Sequence, residues 1–400
     1  MQEISKSKML LTCLLGIIAT IGVARFAYTP MIPEMVKGAG LTDDLAGYLA
    51  TANYAGYLCG ALLISFISSI ALKARLFKAG LILAVITSAG MGASTSEWMW
   101  YLMRFFSGLS SASGMLLGAG LLMHWYIKHN HSAVLGGFFT GLGIGIVITA
   151  VIAKIVAPYL SWELQWHVYA LVTLVLILPV FKWLPDFSKE KALSANKASG
   201  KHFSRAFIPM LQIAYFCAGI GYVVSATFLM AIAEDTNELQ GHGWLIWLVT
   251  GIACAPASAL WDRVILMTDQ WSALLMAFMM KALSLVLLIY SQNLLAVLLS
   301  ALLYGASFIG IVSMMLAMVG RLFPENPSKP MSKLTFSYGV AQMVGPAVVG
   351  YMANLYGDFE QGLLFTLIAV MLGAVFLYVA RGIAMSHQAP RQPGQINHCR

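Results

Sequence analysis

Residues 186–204 read DFSKEKALSANKASGKHFS, and this polar stretch interrupts an otherwise apolar chain of 400 residues. Apolar runs of similar number lie before and after it. A polar linker between two equal groups of apolar runs is typical of a duplicated membrane architecture. We therefore expect one bundle within residues 1–185 and another within residues 205–385. Residues 386–400 are polar and contain proline, and we expect a disordered tail there.

The composition excludes a water-soluble protein. Hydrophobic residues make up 60% of the chain and charged residues only 10%, whereas soluble domains average about 45–50% and about 25%. The surface of a globule of this size would lack the polar groups that keep it in solution. The sequence therefore argues against a soluble enzyme, a nucleic-acid-binding domain and a disordered scaffold, and it predicts a polytopic membrane protein.

The apolar runs predict an all-α membrane protein with twelve transmembrane helices in two six-helix bundles. A helix needs about 20 apolar residues to cross a bilayer, and Pro30 and Pro33 are expected to end the first one. The predicted spans are residues 9–33, 45–70, 76–95, 98–123, 132–157, 163–184, 205–233, 243–266, 271–290, 294–320, 333–355 and 361–381.

The loop charges predict the orientation. Most of the 24 Lys and Arg residues fall in loops on one side of the predicted helices, the side that also holds both chain termini. Short cytoplasmic loops of membrane proteins are enriched in Lys and Arg. We therefore expect both termini to lie in the cytoplasm.

Four cations fall within the predicted spans: Arg25, Arg104, Lys154 and Lys281. Each costs about 2.5–3.5 kcal/mol at the bilayer centre on insertion scales, so each needs a structural or functional reason. Lys154 is expected to extend to the interface, and Lys281 to do the same or to contact a helix carbonyl. All 16 Asp and Glu residues fall in loops or near helix ends, so the buried cations lack counter-ions at their depth.

The two buried arginines predict an anionic solute. Arg25 and Arg104 keep their protons, so each needs an anion, a backbone carbonyl or water. Guanidinium groups bind carboxylate and phosphate through paired hydrogen bonds. The alternative is that both arginines only bond carbonyls at helix ends. The neutral residues expected to complete the binding site are Tyr28, Asn53, Tyr57, Tyr338 and Gln342.

Other motifs are few. Glycines around Gly141 in the fifth span, and Gly345 with Pro346 in the eleventh, predict close and mobile helix contacts. The chain has no sequence motif of a soluble enzyme, so neither catalysis nor a cofactor is expected. His124, His129 and His131 have no Cys or acid nearby, which favours a solvated loop over a metal site.

The sequence resembles the major facilitator superfamily over essentially its whole length. Arg104 to Gly108 is similar to the family's RxxxG signature, and Asp262 with Arg263 after Trp261 resembles its Asp-Arg loop motif, which acts as a gate. The glycines of the fifth and eleventh spans are similar to the family's glycine-rich motifs. The strings ARFAYTPMIPEM (24–35) and SYGVAQMVGPAVVGYMA (337–353) resemble the YbfB/YjiJ-type bacterial permeases.

The resemblance implies a monomeric secondary transporter of the bacterial inner membrane that works by alternating access. It implies that the first and fourth helices of each half line a central cavity, with Arg25 and Arg104 on it and Lys281 at the periphery. The expected substrate is a carboxylate metabolite or a hydroxycarboxylate siderophore. The expected coupling ion is a proton, with Glu34 as the nearest candidate carrier and protonation of the substrate itself as the alternative. Two alternatives are efflux of hydrophobic drugs through a Met-rich cavity and a receptor that binds a solute without moving it.

Overall fold

The computed structural model describes residues 4–131, 135–187, 206–235, 238–291, 293–323 and 328–386. Within these ranges the chain forms twelve long helices, of which nine are long and apolar enough to cross a membrane. Most of the expected central linker and of the tail lies outside the described residues. The helices are α1 (Lys6–Ala39), α2 (Asp43–Ser65), α3 (Ile70–Met91), α4 (Glu97–Lys128), α5 (Gly136–Val156), α6 (Trp162–Trp183), α7 (Phe207–Asp235), α8 (Gly243–Met267), α9 (Gln270–Tyr290), α10 (Leu294–Leu322), α11 (Ser328–Tyr356) and α12 (Glu360–Ser386).

The all-α fold with twelve helices is confirmed, but helix α1 is longer than expected. It continues past Pro30 and Pro33 to Ala39. The α-helix gives way to a π-helix at Ile18–Val23 and begins again at Tyr28. Pro30 therefore lies in the first turn of the new segment, where its missing N–H costs no helical hydrogen bond.

A second π-helical segment, Ser113–Leu117, lies in helix α4 and packs against the π-helix of α1. Gly114 leaves no room for a side chain beside Thr20 of α1. A Cβ atom on Gly22 would lie 2.7 Å from the Cα atom of Gly145 in α5. These glycines let three helices meet closely around the widened turns of α1. Arg25 follows directly after its π-helix, a kind of distortion that is frequent at functional sites.

The helices form two six-helix bundles, α1–α6 and α7–α12, which meet through α5 against α8, α2 against α11 and α1 against α7. We call the end of the molecule where α1 begins and α12 ends the terminal side, and the opposite end the far side. Hydrogen bonds cross between the bundles in the far-side half. Thr51 donates to the carbonyl oxygen of Met343 at 2.7 Å, and Thr29 donates to that of Ala226 at 2.5 Å.

Of the residues predicted to act in gating, some pack within one bundle and one contacts the other bundle. A Cβ atom on Gly141 would lie 2.6 Å from Ile17, and one on Gly345 would lie 2.6 Å from Val223, so both glycines pack within their own bundles. The carbonyl group of Pro346 instead contacts Gly47 of the other bundle. The close α5–α8 contact is made by another glycine of the fifth span, Gly143, against the backbone of Ala255.

Asp262 and Arg263 resemble a loop motif, but they fall within the predicted eighth span, residues 243–266, and the structure agrees with the span and not with a loop. Both lie in the last two turns of helix α8, and both are exposed. The preceding Trp261 is buried and donates a hydrogen bond from its indole N–H to the carbonyl oxygen of Ala306 at 2.8 Å. This bond fixes the end of α8 against α10, so the helix continues through the motif.

Candidate functional site

A cavity of about 140 Å³ lies between the two bundles and is lined by residues of α1, α2, α4, α5, α7, α10 and α11. Its lining includes Met115 of α4, Leu316 of α10 and Thr335 of α11. Each of these residues lies in the half of its helix that is nearer the terminal side. These lining residues lie on the terminal side of the hydrogen bonds that join the two bundles. The expected contribution of the first and fourth helices of each half is found.

Arg25 is the charged residue of this cavity. Its side chain is buried, with 6% of its surface exposed, and its guanidinium carbon lies 4.2 Å from the ring centre of Tyr54 and 5.0 Å from that of Tyr57. Its Nε and Nη2 atoms have no hydrogen-bond partner within the described ranges. Buried donors are normally paired. The two nitrogen atoms are therefore buried donors whose hydrogen bonds the described residues do not supply.

Aromatic rings form the wall of the cavity on the α7–α12 side. The rings of Tyr215 and Tyr338 are stacked with centres 4.4 Å apart, and Tyr222 stacks on Tyr338 at 6.0 Å and on Phe308 at 5.1 Å. Gln342 lies beside them, and its Oε1 atom has no partner among the described residues.

Tyr338 and Gln342 were predicted from the sequence, whereas Tyr215, Tyr222 and Phe308 were missed. The signal for Tyr215 and Tyr222 was their spacing of two helical turns on α7.

Arg104 lies outside this cavity, in a cluster with Tyr28 and Asn53. Its guanidinium carbon is 4.1 Å from the ring centre of Tyr28, and its Nε and Nη1 atoms have no partner in the described part of the chain. The Nδ2 atom of Asn53 donates to the backbone carbonyl of Arg104 at 2.9 Å, and the Tyr28 hydroxyl donates to that of Ala46 at 2.9 Å. These three predicted site residues therefore connect α1, α2 and α4. They do not line the cavity, whereas four other predicted site residues do: Arg25, Tyr57, Tyr338 and Gln342.

Glu34 lies in a second cavity of about 250 Å³ that shares no lining residue with the first. Its Oε2 atom accepts a hydrogen bond from Gln165 at 3.0 Å. Across the same cavity, Lys37 of α1 lies 4.0 Å from Glu234 of α7, and Lys154 of α5 lies 5.0 Å from the ring centre of Trp244 in α8. The second cavity is therefore a charged region on the far side, where the two bundles meet.

The expectation for Lys281 is wrong. Its side chain neither reaches an interface nor bonds a carbonyl, because it is 1% exposed and its Nζ atom has no hydrogen-bond partner within the residues described. The Nζ atom instead lies 3.6 Å from the ring centre of Tyr304. Lys281 is therefore buried within the second bundle.

Of the three histidines expected in a loop, His129 and His131 lie there and His124 does not. His124 lies within helix α4 and is buried, with its ring centre 6.0 Å from that of Phe187. His129 and His131, just past the end of α4, stack on Trp125 with ring centres 4.1 Å and 5.6 Å away. The three rings thus take part in aromatic packing at the end of α4.

The family described as "Uncharacterised MFS-type transporter YbfB" matches residues 17–384. The chain belongs to this family. It is therefore an MFS-type transporter and a multi-pass membrane protein, as the sequence motifs predicted, and not an enzyme. The nucleoside transporter NupG has the same fold: its structure has a TM-score of 0.74 at 12% identity and covers 94% of this chain and 98% of that one. A mutant form of NupG gives a TM-score of 0.72 at 12% identity, covering 93% and 99%.

Two relatives match parts of this MFS-type chain. The putative transporter AraJ of Escherichia coli is 23% identical over 207 residues, which are 52% of each chain. The uncharacterized transporter mfc1 of Schizosaccharomyces pombe is 28% identical over 121 residues, which are 30% of this chain and 24% of that one. The matched region thus spans about half the length of the first relative and about a quarter of the second.

Proposed function

We propose that this transporter moves a small organic anion by alternating access, with the carboxylate of the substrate bound by Arg25. The observation that carries the proposal is the buried guanidinium of Arg25, a residue that lines the cavity and whose Nε and Nη2 atoms lack partners among the described residues. A guanidinium keeps its charge when buried, so an anion is its natural ligand. In this proposal the substrate supplies the charge that the helices lack.

The volume and the lining of the cavity indicate which kind of organic anion would fit. Its volume of about 140 Å³ and its stacked tyrosine rings favour a small, flat carboxylate over a hydroxycarboxylate siderophore. The ring faces of Tyr222 and Tyr338 would cover the apolar body of such an acid. Tyr57 and Gln342 would supply neutral hydrogen bonds.

The remaining parts of the proposal follow from the sequence and the family. The protein would work as a monomer in the bacterial inner membrane, with both termini in the cytoplasm, driven by a proton gradient with Glu34 as a carrier. The bundles within residues 1–185 and 205–385 would rock about the cavity. The cavity would then face the cytoplasm in the conformation described.

Three other functions remain as competitors. Stacked tyrosines also suit a nucleobase, and NupG is named as a nucleoside transporter. The apolar lining that includes Met115 and Leu316 would suit a hydrophobic drug. A receptor would bind the same anion without moving it.

Counterflow into proteoliposomes separates these possibilities. Vesicles with the purified protein are loaded with unlabelled benzoate, uridine or ethidium, and the initial entry of the same labelled compound is followed relative to protein-free vesicles. We expect exchange of benzoate and its loss in Arg25→Gln, while Arg75→Gln, which changes an exposed arginine, retains it. Exchange of uridine or ethidium without benzoate would reject the anion, and saturable benzoate binding without exchange would indicate a receptor.

A further inference from the structure

Lys281 is a buried ionisable group that the proposed binding site does not use. It lies on helix α9, which packs against α10 and α12. Its amine faces the ring of Tyr304 at 3.6 Å. On the side of α7, a Cβ atom on Gly221 would lie 3.6 Å from the Lys281 Cγ atom. The side chain is thus enclosed by neighbouring helices.

The surroundings of Lys281 provide no counter-ion. Tyr304 of α10 faces the amine, and the titratable groups that interact with Tyr304 are the buried Tyr222 of α7, Tyr54 of α2 and Cys254 of α8. On α12, Arg381 lies near the helix end and pairs with Asp269 at 3.7 Å. Lys281 forms no ion pair within the described ranges. Among the described residues, the ring of Tyr304 is thus the group that faces its charge.

Two opposing effects keep the protonation of this amine sensitive to its environment. Burial without a counter-ion favours the neutral amine, and the electron-rich face of a tyrosine ring favours the ammonium. Arginine cannot take part in such an equilibrium, because it keeps its proton. A change in the position of the ring would therefore shift the balance between the two forms of Lys281.

Tyr304 connects the amine to the substrate cavity. Its hydroxyl donates to the carbonyl oxygen of Tyr222 at 3.0 Å, and its ring stacks on Phe308 with centres 5.5 Å apart. Tyr222 and Phe308 both line the cavity that contains Arg25. One residue, Tyr304, therefore separates Lys281 from the residues that line the cavity.

We propose that Lys281 is a proton-binding site of the transport cycle. Its amine takes up one proton to become an ammonium against the face of Tyr304, and releases that proton when the bundles rearrange and the ring moves. The inference extends the proposed function by naming a proton carrier besides Glu34. It depends on transport by this family and not on the identity of the substrate.

The first test needs no substrate. The tryptophan fluorescence of the purified protein is recorded as a function of pH for the wild type, Lys281→Met and Lys281→Arg. We expect a transition in the wild type that is absent from both variants, because methionine binds no proton and arginine releases none. Lys78→Met removes a lysine that lies 5.9 Å from the ring of Phe181 and should retain the transition.

The outcomes decide the proposal in every case. A wild type without a transition, or a transition that persists in both variants, overturns it. If Lys281→Met does not fold, Lys281→Arg answers the question alone, because it retains the positive charge beside Tyr304.

The second test measures coupling. Vesicles with an imposed pH gradient are supplied with labelled benzoate. The initial rate of uptake, above that of protein-free vesicles, should rise with the gradient in the wild type. Lys281→Arg should exchange benzoate in counterflow, but its uptake rate should not rise with the gradient. A rise in Lys281→Arg overturns the proposal. A wild type that exchanges no benzoate instead rejects the proposed substrate and leaves the fluorescence test to decide the role of Lys281.

Discussion

Arg25 is held by aromatic rings and not by acids, so its charge is available to a ligand. Replacement by glutamine keeps a polar side chain but removes the charged donors. Hydrogen bonds to charged groups contribute about 1.5–3 kcal/mol, so we expect Arg25→Gln to weaken benzoate binding by roughly ten- to hundredfold. Isothermal titration of the detergent-solubilised protein measures this change.

Arg104→Gln is the comparison for Arg25→Gln. Arg104 is equally buried but stacks on Tyr28 outside the cavity, so its replacement should leave the affinity for benzoate nearly unchanged. Equal losses in the two variants would show that Arg104 also binds the anion, as the sequence predicted. Wild-type affinity in Arg25→Gln would remove Arg25 from the site.

Asn53 is expected to affect stability and not affinity. Its Nδ2 atom donates to the backbone carbonyl of Arg104, and its side chain is fully buried. Asn53→Ala leaves that carbonyl without this donor, which costs about 1–3 kcal/mol. We expect a lower thermal unfolding temperature with unchanged benzoate affinity. The reverse result, weaker binding at unchanged stability, would return Asn53 to the binding site.

For single residues, the sequence predicted which residue types lie near the site better than it predicted which way their side chains point. The i and i+4 spacing of Asn53 and Tyr57 suggested a shared cavity face. In the structure Asn53 contacts α4, whereas Tyr54 and Tyr57, three residues apart, both contact Arg25. The rotation of α2 about its axis is set by the close packing of Gly56 and Gly108 in the α2–α4 contact, which hydropathy does not encode.

The contact between helices α5 and α8 depends on Gly143. A Cβ atom there would lie 2.6 Å from the Cα atom of Ala255, too close for both backbones to stay in place. We expect Gly143→Ala to disfavour this conformation by about 1–3 kcal/mol, the usual cost of overpacking. The measurements are the rate of benzoate counterflow, which should fall, and the thermal unfolding temperature.

Gly120→Ala is the matched control for that change. Gly120 lies on helix α4, and a Cβ atom there would meet no atom within 4 Å. Alanine stabilises a helix interior relative to glycine by about 0.5–1 kcal/mol, so transport should be retained at equal or higher stability. If Gly143→Ala behaved in the same way, tight α5–α8 contact would not be needed for transport.

The elements were largely predictable because each apolar run must satisfy its own backbone hydrogen bonds in the membrane, and a helix does so. Their ends were less predictable. Helix α1 extends to Ala39 and contains a π-helix at Ile18–Val23, where Gly22 meets Gly145 of another helix. A contact between residues so far apart in sequence leaves no mark in the hydropathy of either.

The closure of the far side involves the ion pair between Lys37 and Glu234. Lys37→Glu places two like charges opposite each other. Because Lys37 is largely exposed, we expect a change of about 1 kcal/mol at most, or up to about fivefold in the ratio of open to closed molecules. Spin-label distances between the far ends of α1 and α7 measure the ratio. Lys37→Arg should match the wild type, and an unchanged distance distribution in Lys37→Glu would exclude the pair from closure.

Arg25 lies near the middle of α1, and a positive charge at that depth responds to the voltage across the membrane. Moving one elementary charge through the whole membrane changes its energy by about 2.3 kcal/mol per 100 mV. A bound carboxylate cancels the charge of the guanidinium, so voltage acts on the empty carrier more than on the loaded one. The resting potential of the cell would then set how fast the unloaded protein resets, and so its turnover.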